Sequence, residues 1–334
     1  MELYKSWQGK NKFCCKGKLM LGPDWYRGVL SATLITFLVI ISIIYPCNFF
    51  LENDNPAPMI IQIILLVSTI CAQFKVATSD PGYIPKQIPP YISKTNAALN
   101  ELIGMPKPII FHHNGNMVKM KFCRTCLIFR PPRSSHCSLC NLCVEKFDHH
   151  CPYIGNCIGK RNYKYFITYL SIATCLDFSS FAVSLAHILE KEVNGEFSNE
   201  IIPSIIVIIF AFIAMWIVFG LYSFHIYLLF VNMTTNEKIK NLWPIKLFGP
   251  YHRGSCMKNI LYWLKSERGS CQFKPHRVVS QYEDESPNFL IRGVKFVNKL
   301  FQNEELSEKK LTNTIMAGQT SRDNSFNMEV NRID

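Results

Sequence analysis

Between residues 123 and 157 the chain carries seven cysteines (123, 126, 137, 140, 143, 151 and 157) and three histidines (136, 149 and 150). Cys123 and Cys126 form one CxxC step, and Cys137, Cys140 and Cys143 form two more. A CxxC step presents two sulfurs on one tight turn, and a structural zinc ion takes four thiolate or imidazole ligands in a tetrahedron. Two such sites need eight ligands and ten candidates are present, so one cysteine and one histidine are left for other work. A thiolate is a nucleophile, a nearby imidazole favours its formation, and a carboxylate that orients the imidazole completes a relay. Asp148, His149 and Cys151 supply these three types within four residues. Neighbours in sequence need not face one another, so the spacing alone leaves open which residues bind metal and which react.

The elements that must carry this stretch are apolar. The chain has 334 residues, 49% of them hydrophobic, and the hydrophobic residues gather in four runs. These are roughly Val29 to Tyr45, Pro58 to Phe74, Tyr165 to Leu189 and Ile201 to Val231. A helix needs about 20 apolar residues to cross a bilayer, where no water can satisfy its backbone. The third and fourth runs exceed that length and the first two are near the minimum. The expected fold is therefore an all-α integral membrane protein of four transmembrane helices. Its cysteine-rich zinc domain, made of short β-hairpins, is expected in the loop between helices 2 and 3. The segments are expected at 1–28, 29–76 (helices 1 and 2), 77–164 (the loop, with the cysteine-rich part at about 121–166), 165–231 (helices 3 and 4), 232–272, and a mostly disordered polar tail at 273–334. Within that tail Leu290, Val294, Val297 and Phe301 recur at helical spacing among basic residues, the pattern of a helix lying on a membrane or packed on the protein body. No cleavable signal peptide is expected, because the first apolar run follows 27 basic and aromatic residues.

Charge gives the orientation. The net charge is +12. Lysine and arginine crowd the segment before the first run, the middle loop and the tail, whereas the short connections between runs 1 and 2 and between runs 3 and 4 are nearly free of them. The positive-inside rule puts both termini and the middle loop in the cytosol, where cysteines stay reduced. The sequon at Asn232 then lies on the cytosolic side and is expected to be unused. Nucleic acid is not the expected partner: a zinc finger places a helix between its ligand pairs, and here the ligands follow one another without a helix-length gap. A channel or transporter would place several charges within its spans, and Asp177 is the only acidic residue inside a run.

The stretch from Cys123 to Phe166 resembles the DHHC protein S-acyltransferases (palmitoyltransferases) at every ligand position. It holds Arg130-Pro131-Pro132-Arg133, the tetrad Asp148-His149-His150-Cys151, the pair Asn156-Cys157, and Asn162. Outside it, Asp80-Pro81-Gly82, Thr234-Thr235-Asn236-Glu237, and Pro250-Tyr251 with Gly254 and Asn259 are similar to further marks of that family. The tetrad is intact, where an inactive scaffold would have altered it.

The resemblance implies a long-chain acyl-CoA such as palmitoyl-CoA as co-substrate, an acyl-Cys151 intermediate, and transfer to membrane-proximal cysteines of other proteins. His149 would be the general base, oriented by Asp148, with Thr235 bracing Asp148. It implies two structural Zn2+ ions, one on Cys123, Cys126, His136 and Cys143 and the other on Cys137, Cys140, His150 and Cys157. Arg130, Arg133, Lys160 and Arg161 are the candidates for the CoA phosphates. Tyr153, which stands where most members have tryptophan, and Leu176 on the third helix are the candidates for contact with the acyl chain. Membrane lipids are implied as partners, and a Golgi or endoplasmic reticulum membrane as location. The stretch from Asn11 to Gly17 resembles members that act on Ras proteins together with a small accessory subunit.

Overall fold

The computed structural model describes residues 3–86, 108–113, 116–193, 199–243 and 249–266. The expected polar tail from residue 273, with its Leu290 to Phe301 pattern, lies outside the described residues. Four helical spans are long and apolar enough to cross a membrane: Trp25–Glu52, Ala57–Thr78, Tyr163–Val193 and Asn199–Val231, of 28, 22, 31 and 33 residues. The first two runs are thus extended at their ends, because backbone that leaves the hydrocarbon can continue helical through interfacial residues such as Trp25 and Tyr26. The first span is α1 (Trp25–Ser42), a widened π turn over Ile43–Cys47 and α2 (Asn48–Glu52). The π turn contains Pro46, which has no N–H for the helical ladder. The second span is α3 (Ala57–Thr78), the third α4 (Tyr163–Val193) and the fourth chiefly α5 (Ile202–Val231).

The burial pattern of these helices is inverted relative to a water-soluble bundle. Leu30, Phe37, Ile64, Trp216 and Ile217 are exposed, while Gln62, Gln73, Ser180 and His225 are buried. Lipid solvates the apolar face, and the polar groups turn inward to find partners. Gln62 donates to Ser179 (3.2 Å) and accepts from Ser180 (3.2 Å), tying α3 to α4.

The connection between α3 and α4 folds as short antiparallel ribbons. β4 (Ile109–His113) pairs with β5 (Asn116–Met120). β6 (Phe122–Cys123) pairs with β7 (Ile128–Phe129). β8 (Ser135–Cys137) and β9 (Leu142–Val144) form a hairpin that β3 (Tyr83–Ile84), just after α3, extends to three strands in the order β3-β9-β8. β10 (His149–Cys151) pairs with β11 (Asn156–Ile158). A further hairpin, β1 (Lys12–Cys14) with β2 (Leu19–Leu21), precedes α1. Strands of two or three residues carry too little packing to hold themselves, and the positive φ of Leu127 (56°), Arg133 (65°) and Asn141 (57°) marks the tight turns between them.

The β10–β11 turn is pressed against the start of α1. Gly155 has φ of 72°, and a Cβ there would come within 2.7 Å of the Trp25 Cα. Gln73 on α3 donates to the Gly28 carbonyl (3.0 Å) and the Tyr153 carbonyl (3.2 Å), so one buried amide joins both helices to this turn.

Candidate active site

The cysteine-rich ribbons bring two sets of four side chains together: Cys123, Cys126, His136 and Cys143, and Cys137, Cys140, His150 and Cys157. Within each set the ligand atoms lie within 4.8 Å of one another, and either set could hold a metal ion. These are the same two sets that the resemblance implied. The first has Sγ to His136 Nδ1 distances of 3.6, 3.4 and 3.9 Å. The second has Sγ to His150 Nδ1 distances of 3.6, 3.4 and 3.4 Å. The edge of a zinc tetrahedron with Zn–S of about 2.3 Å and Zn–N of about 2.0 Å is roughly 3.5 Å, so the donor sets fit that ion. Three thiolates and one imidazole is also a donor set that zinc favours. The hairpins produce this spacing directly: Cys123 and Cys126 bracket the β6–β7 turn, and Cys137 and Cys140 bracket the β8–β9 turn.

The second set is supported from outside. His150 Nε2 lies 2.8 Å from Asp24 Oδ1, immediately ahead of α1. A carboxylate on the second nitrogen fixes the tautomer and direction of a metal-binding imidazole. The fully buried Tyr83 places its hydroxyl 3.0 Å from both Cys140 Sγ and Asn156 Oδ1. Asn156 in turn donates to the carbonyls of Ala77 and Ser79 at the end of α3.

Cys151 and His149 belong to neither set. His149 Nδ1 lies 2.7 Å from Asp148 Oδ2, and the Cys151 sulfur, two residues along the same strand, is close enough to act on the charge of the ring. Burial disfavours the charged imidazole, but the Asp148 carboxylate and the thiol outweigh it and hold the His149 pKa at about 9. Burial likewise works against the Asp148 carboxylate; the His149 contact and the Thr235 N–H outweigh it and keep its pKa below the ordinary carboxyl value. Cys151 is almost fully buried and shares one apolar cluster with Val76, Phe166, Tyr169, Leu170 and Ala173.

Thr235 reaches Asp148 through its backbone: the Thr235 N–H donates to Asp148 Oδ1 (2.9 Å). It opens the short helix α6 (Thr235–Ile239), whose capping box pairs Thr234 with Glu237. Glu237 also accepts two hydrogen bonds from Arg133, both 2.7 Å. Arg133 further donates to Asn232 Oδ1 (3.1 Å) and stacks over Tyr251, 4.4 Å from the ring centroid. The buried Arg133–Glu237 pair thus bolts the cysteine-rich domain to the end of α5.

The four basic candidates are not equivalent. Arg133 is held in that pair, Arg161 pairs with Asp80 (3.3 Å) and Lys160 with Glu145 (3.1 Å). Arg130 instead lines an open groove with Lys119, Lys121, Lys240, Trp243 and Tyr251. Arg130 Nε, Trp243 Nε1 and Tyr251 Oη are buried without hydrogen-bond partners among the described residues. Burial and the charges of Arg130 and Lys121 push the Lys240 ammonium below its ordinary pKa. Leu176 is buried on α4, one helical turn beyond Ala173, whereas the Tyr153 side chain is exposed and only its carbonyl is tied down.

The structure adds residues that spacing did not single out. Asp24 and Gln73 are separated from their partners by 126 and 80 residues, beyond any local pattern. Asn259, already noted in the resemblance, lies in helix α7 (Cys256–Lys265), where it donates to the Phe230 carbonyl (2.7 Å) and clips α7 to the end of α5. His225 on α5 is fully buried and joins Asp148 and His149 in a third group of closely spaced ligand atoms. The one sequence signal for His225 is a lone histidine near the C-terminal end of an otherwise apolar run.

Comparison with known proteins agrees with this geometry. The family model described as DHHC palmitoyltransferase matches residues 116–242. Palmitoyltransferase ZDHHC9 of Danio rerio is 35% identical over 276 residues, covering 77% of this chain and 71% of the relative. The Homo sapiens ZDHHC9 is 35% identical over 266 residues, covering 75% and 72%. A probable protein S-acyltransferase 3 of Arabidopsis thaliana is 33% identical over 301 residues, covering 85% and 72%. Similarity of this extent, reaching well past the cysteine-rich ribbons into the membrane helices, means that the chain belongs to the DHHC palmitoyltransferase family.

Proposed function

We propose that this protein is a protein S-acyltransferase that moves a long-chain acyl group, palmitoyl, from acyl-CoA to Cys151 and then to cysteine thiols of membrane-associated proteins. The observation that carries the reading is the arithmetic of the site: with eight ligands gathered in two sets that could hold metal, Cys151 is the remaining cysteine between residues 123 and 157, and it shares strand β10 with a histidine already oriented by a buried carboxylate. In the first half-reaction His149 takes the Cys151 proton, and the thiolate adds to the thioester carbonyl. The C–S bond to CoA breaks, and the departing CoA thiolate takes the proton back from His149. In the second half-reaction His149 takes the proton of the substrate thiol, which attacks acyl-Cys151. The Cys151 sulfur leaves and is reprotonated. Asp148 holds the ring and offsets its charge while the proton resides there.

Zinc in the two sets would supply shape alone, since four protein ligands leave no open position for chemistry. An acyl chain gains about 0.8 kcal/mol per CH2 on leaving water. The apolar cluster around Cys151 offers that environment, with Leu176 further along α4 as the limit on chain length and Tyr153 at the mouth. The basic groove of Arg130, Lys119, Lys121 and Lys240 has the charge for the CoA phosphates. Arg133, Lys160 and Arg161, already paired, shape the surface beside it. The charge asymmetry of the loops supports cytosolic termini. An internal membrane (Golgi or endoplasmic reticulum) and a small accessory subunit are extensions of the same reading that rest on the resemblance.

The test is labelling of the purified protein with a long-chain acyl-CoA, wild type beside Cys151→Ser, followed by hydroxylamine. Labelling of the wild type that hydroxylamine removes and that the variant lacks, at equal zinc content, supports the proposal. Equal labelling of both proteins overturns it.

A further inference from the structure

The acyl-transfer scheme leaves one buried ionisable side chain beside the reacting groups without a role. His225 is fully buried near the end of α5. Its Nδ1 lies 3.0 Å from the Tyr163 hydroxyl at the start of α4, and its Nε2 has no hydrogen-bond partner among the described residues. Leaving a buried polar nitrogen unpaired costs about 1–3 kcal/mol, so a leucine would be the cheaper occupant of this place in an apolar helix. Instead the imidazole stands against the base. The rings of His225 and His149 are 5.8 Å apart at 37°. Phe166 completes the enclosure, 5.3 Å from His149 at 67° and 5.1 Å from His225 at 82°. One ring nitrogen of His225 lies within 4.8 Å of ligand atoms of both Asp148 and His149.

We infer that His225, anchored by Tyr163, is a positioning residue that holds the His149 ring in the plane shared by Asp148 and Cys151. The inference rests on the acyltransferase reading and deepens it. In the acyl-transfer scheme His149 has two jobs that demand opposite edges of one ring: Nδ1 keeps the carboxylate, 2.7 Å away, while the other edge must serve the Cys151 thiol. Rotation about its side-chain bonds would lose both. Asp148 restrains one edge only, and Phe166 walls the ring on one side. His225 walls it on another and is itself restrained, through the Tyr163 hydroxyl, by the first turn of α4. An imidazole suits this place better than hydrocarbon because His149 carries a positive charge in mid-reaction, and a neutral polar ring stabilises that charge where an aliphatic chain would not. The arrangement also explains why α4 and α5 must meet beside the dyad.

The experiment is single-turnover formation of acyl-Cys151 at varied acyl-CoA in the full-length protein, for wild type, His225→Leu, His225→Gln and Tyr163→Phe, with zinc content and thermal melting measured on each. The expected result is a fall in the maximal acylation rate of His225→Leu by between about tenfold and 10²-fold, the scale of a misplaced catalytic group, with the acyl-CoA concentration for half-maximal rate unchanged. His225→Gln, which keeps a polar group of similar reach, recovers most of that loss, and Tyr163→Phe loses a few-fold. A maximal rate of His225→Leu equal to wild type overturns the inference. So does a rate of His225→Gln as low as that of His225→Leu. Should His225→Leu lose its zinc or fail to fold, Tyr163→Phe decides, and a wild-type rate in that variant overturns the anchored-ring account. Absence of acylation in the wild type would instead sink the acyltransferase reading itself, so the two failures are distinguishable.

Discussion

At the scale of single residues, two carboxylates act on two neighbouring histidines and give them different fates. Asp148 addresses Nδ1 of His149, leaving that ring's other edge for the proton transfer proposed with Cys151. Asp24 addresses Nε2 of His150, leaving Nδ1 to the metal set. Adjacent residues of β10 point to opposite faces, so the proposed base and a member of the second ligand set can be neighbours in sequence. Asp148→Asn keeps the shape but no longer stabilises a charged ring. Acyl-Cys151 formation is expected to fall about 10²- to 10⁴-fold with zinc content unchanged, and a rate near wild type would remove Asp148 from the mechanism. Asp24→Ala is expected to weaken zinc retention in the second set by about 10- to 100-fold. Release of metal to a competing chelator measures this. Release no faster than from wild type would make the Asp24 contact a bystander.

At the scale of elements, the ribbons are too short to stand alone, so each is fastened to something longer. β3 is added to β9 by the chain leaving α3, and Asn156 holds the end of the same helix. The β10–β11 turn is wedged against α1. The Arg133–Glu237 pair joins the other side to α5 and α6, and because Glu237 caps the helix that Thr235 opens, this pair also sets the N–H aimed at Asp148. Removing one partner of a buried, doubly hydrogen-bonded pair costs about 3–5 kcal/mol. Arg133→Ala is therefore expected to lower the melting temperature clearly and to reduce acylation. Arg133→Lys is expected to recover only part of both, since an ammonium cannot reproduce the planar fork. Full recovery by lysine would show that charge alone matters there.

At the scale of the whole molecule, the proposed reaction needs a thiol where an apolar chain and a water-soluble carrier meet, and the four spans offer such a place. Cys151 lies in the apolar cluster of the helices, and the basic groove with its unpartnered polar atoms lies on the ribbons and the segment after α5. The proposed topology, from charge asymmetry, turns that end toward the cytosol. One consequence concerns Asn232: on that topology its sequon is on the non-glycosylated side, and its side chain is already engaged by Arg133 and by the Tyr251 carbonyl (2.6 Å). Expression in a eukaryotic cell is expected to yield a protein whose mobility glycosidase treatment does not change. A glycan on Asn232 would reverse the topology.

The amino-acid sequence by itself determined the four spans, because long apolar runs have no other stable environment. It also determined that the loop between the second and third carries two sets of ligands that could hold metal, because CxxC steps are local and self-contained. The triad types at Asp148, His149 and Cys151 were legible for the same reason: they lie within four residues. The ends of the first two helices were not legible, since interfacial residues such as Trp25 and Tyr26 carry no apolar periodicity. Only the tertiary structure decided which basic residues are already paired, which edge of each histidine faces which carboxylate, and that His225 and Asp24 belong to the site at all. Apart from the adjacent Asp148–His149 pair and the Lys160–Glu145 pair, those facts depend on contacts between residues about 60 to 126 positions apart. Such contacts exist only after the helices pack and the ribbons close, and no local pattern in the chain records them.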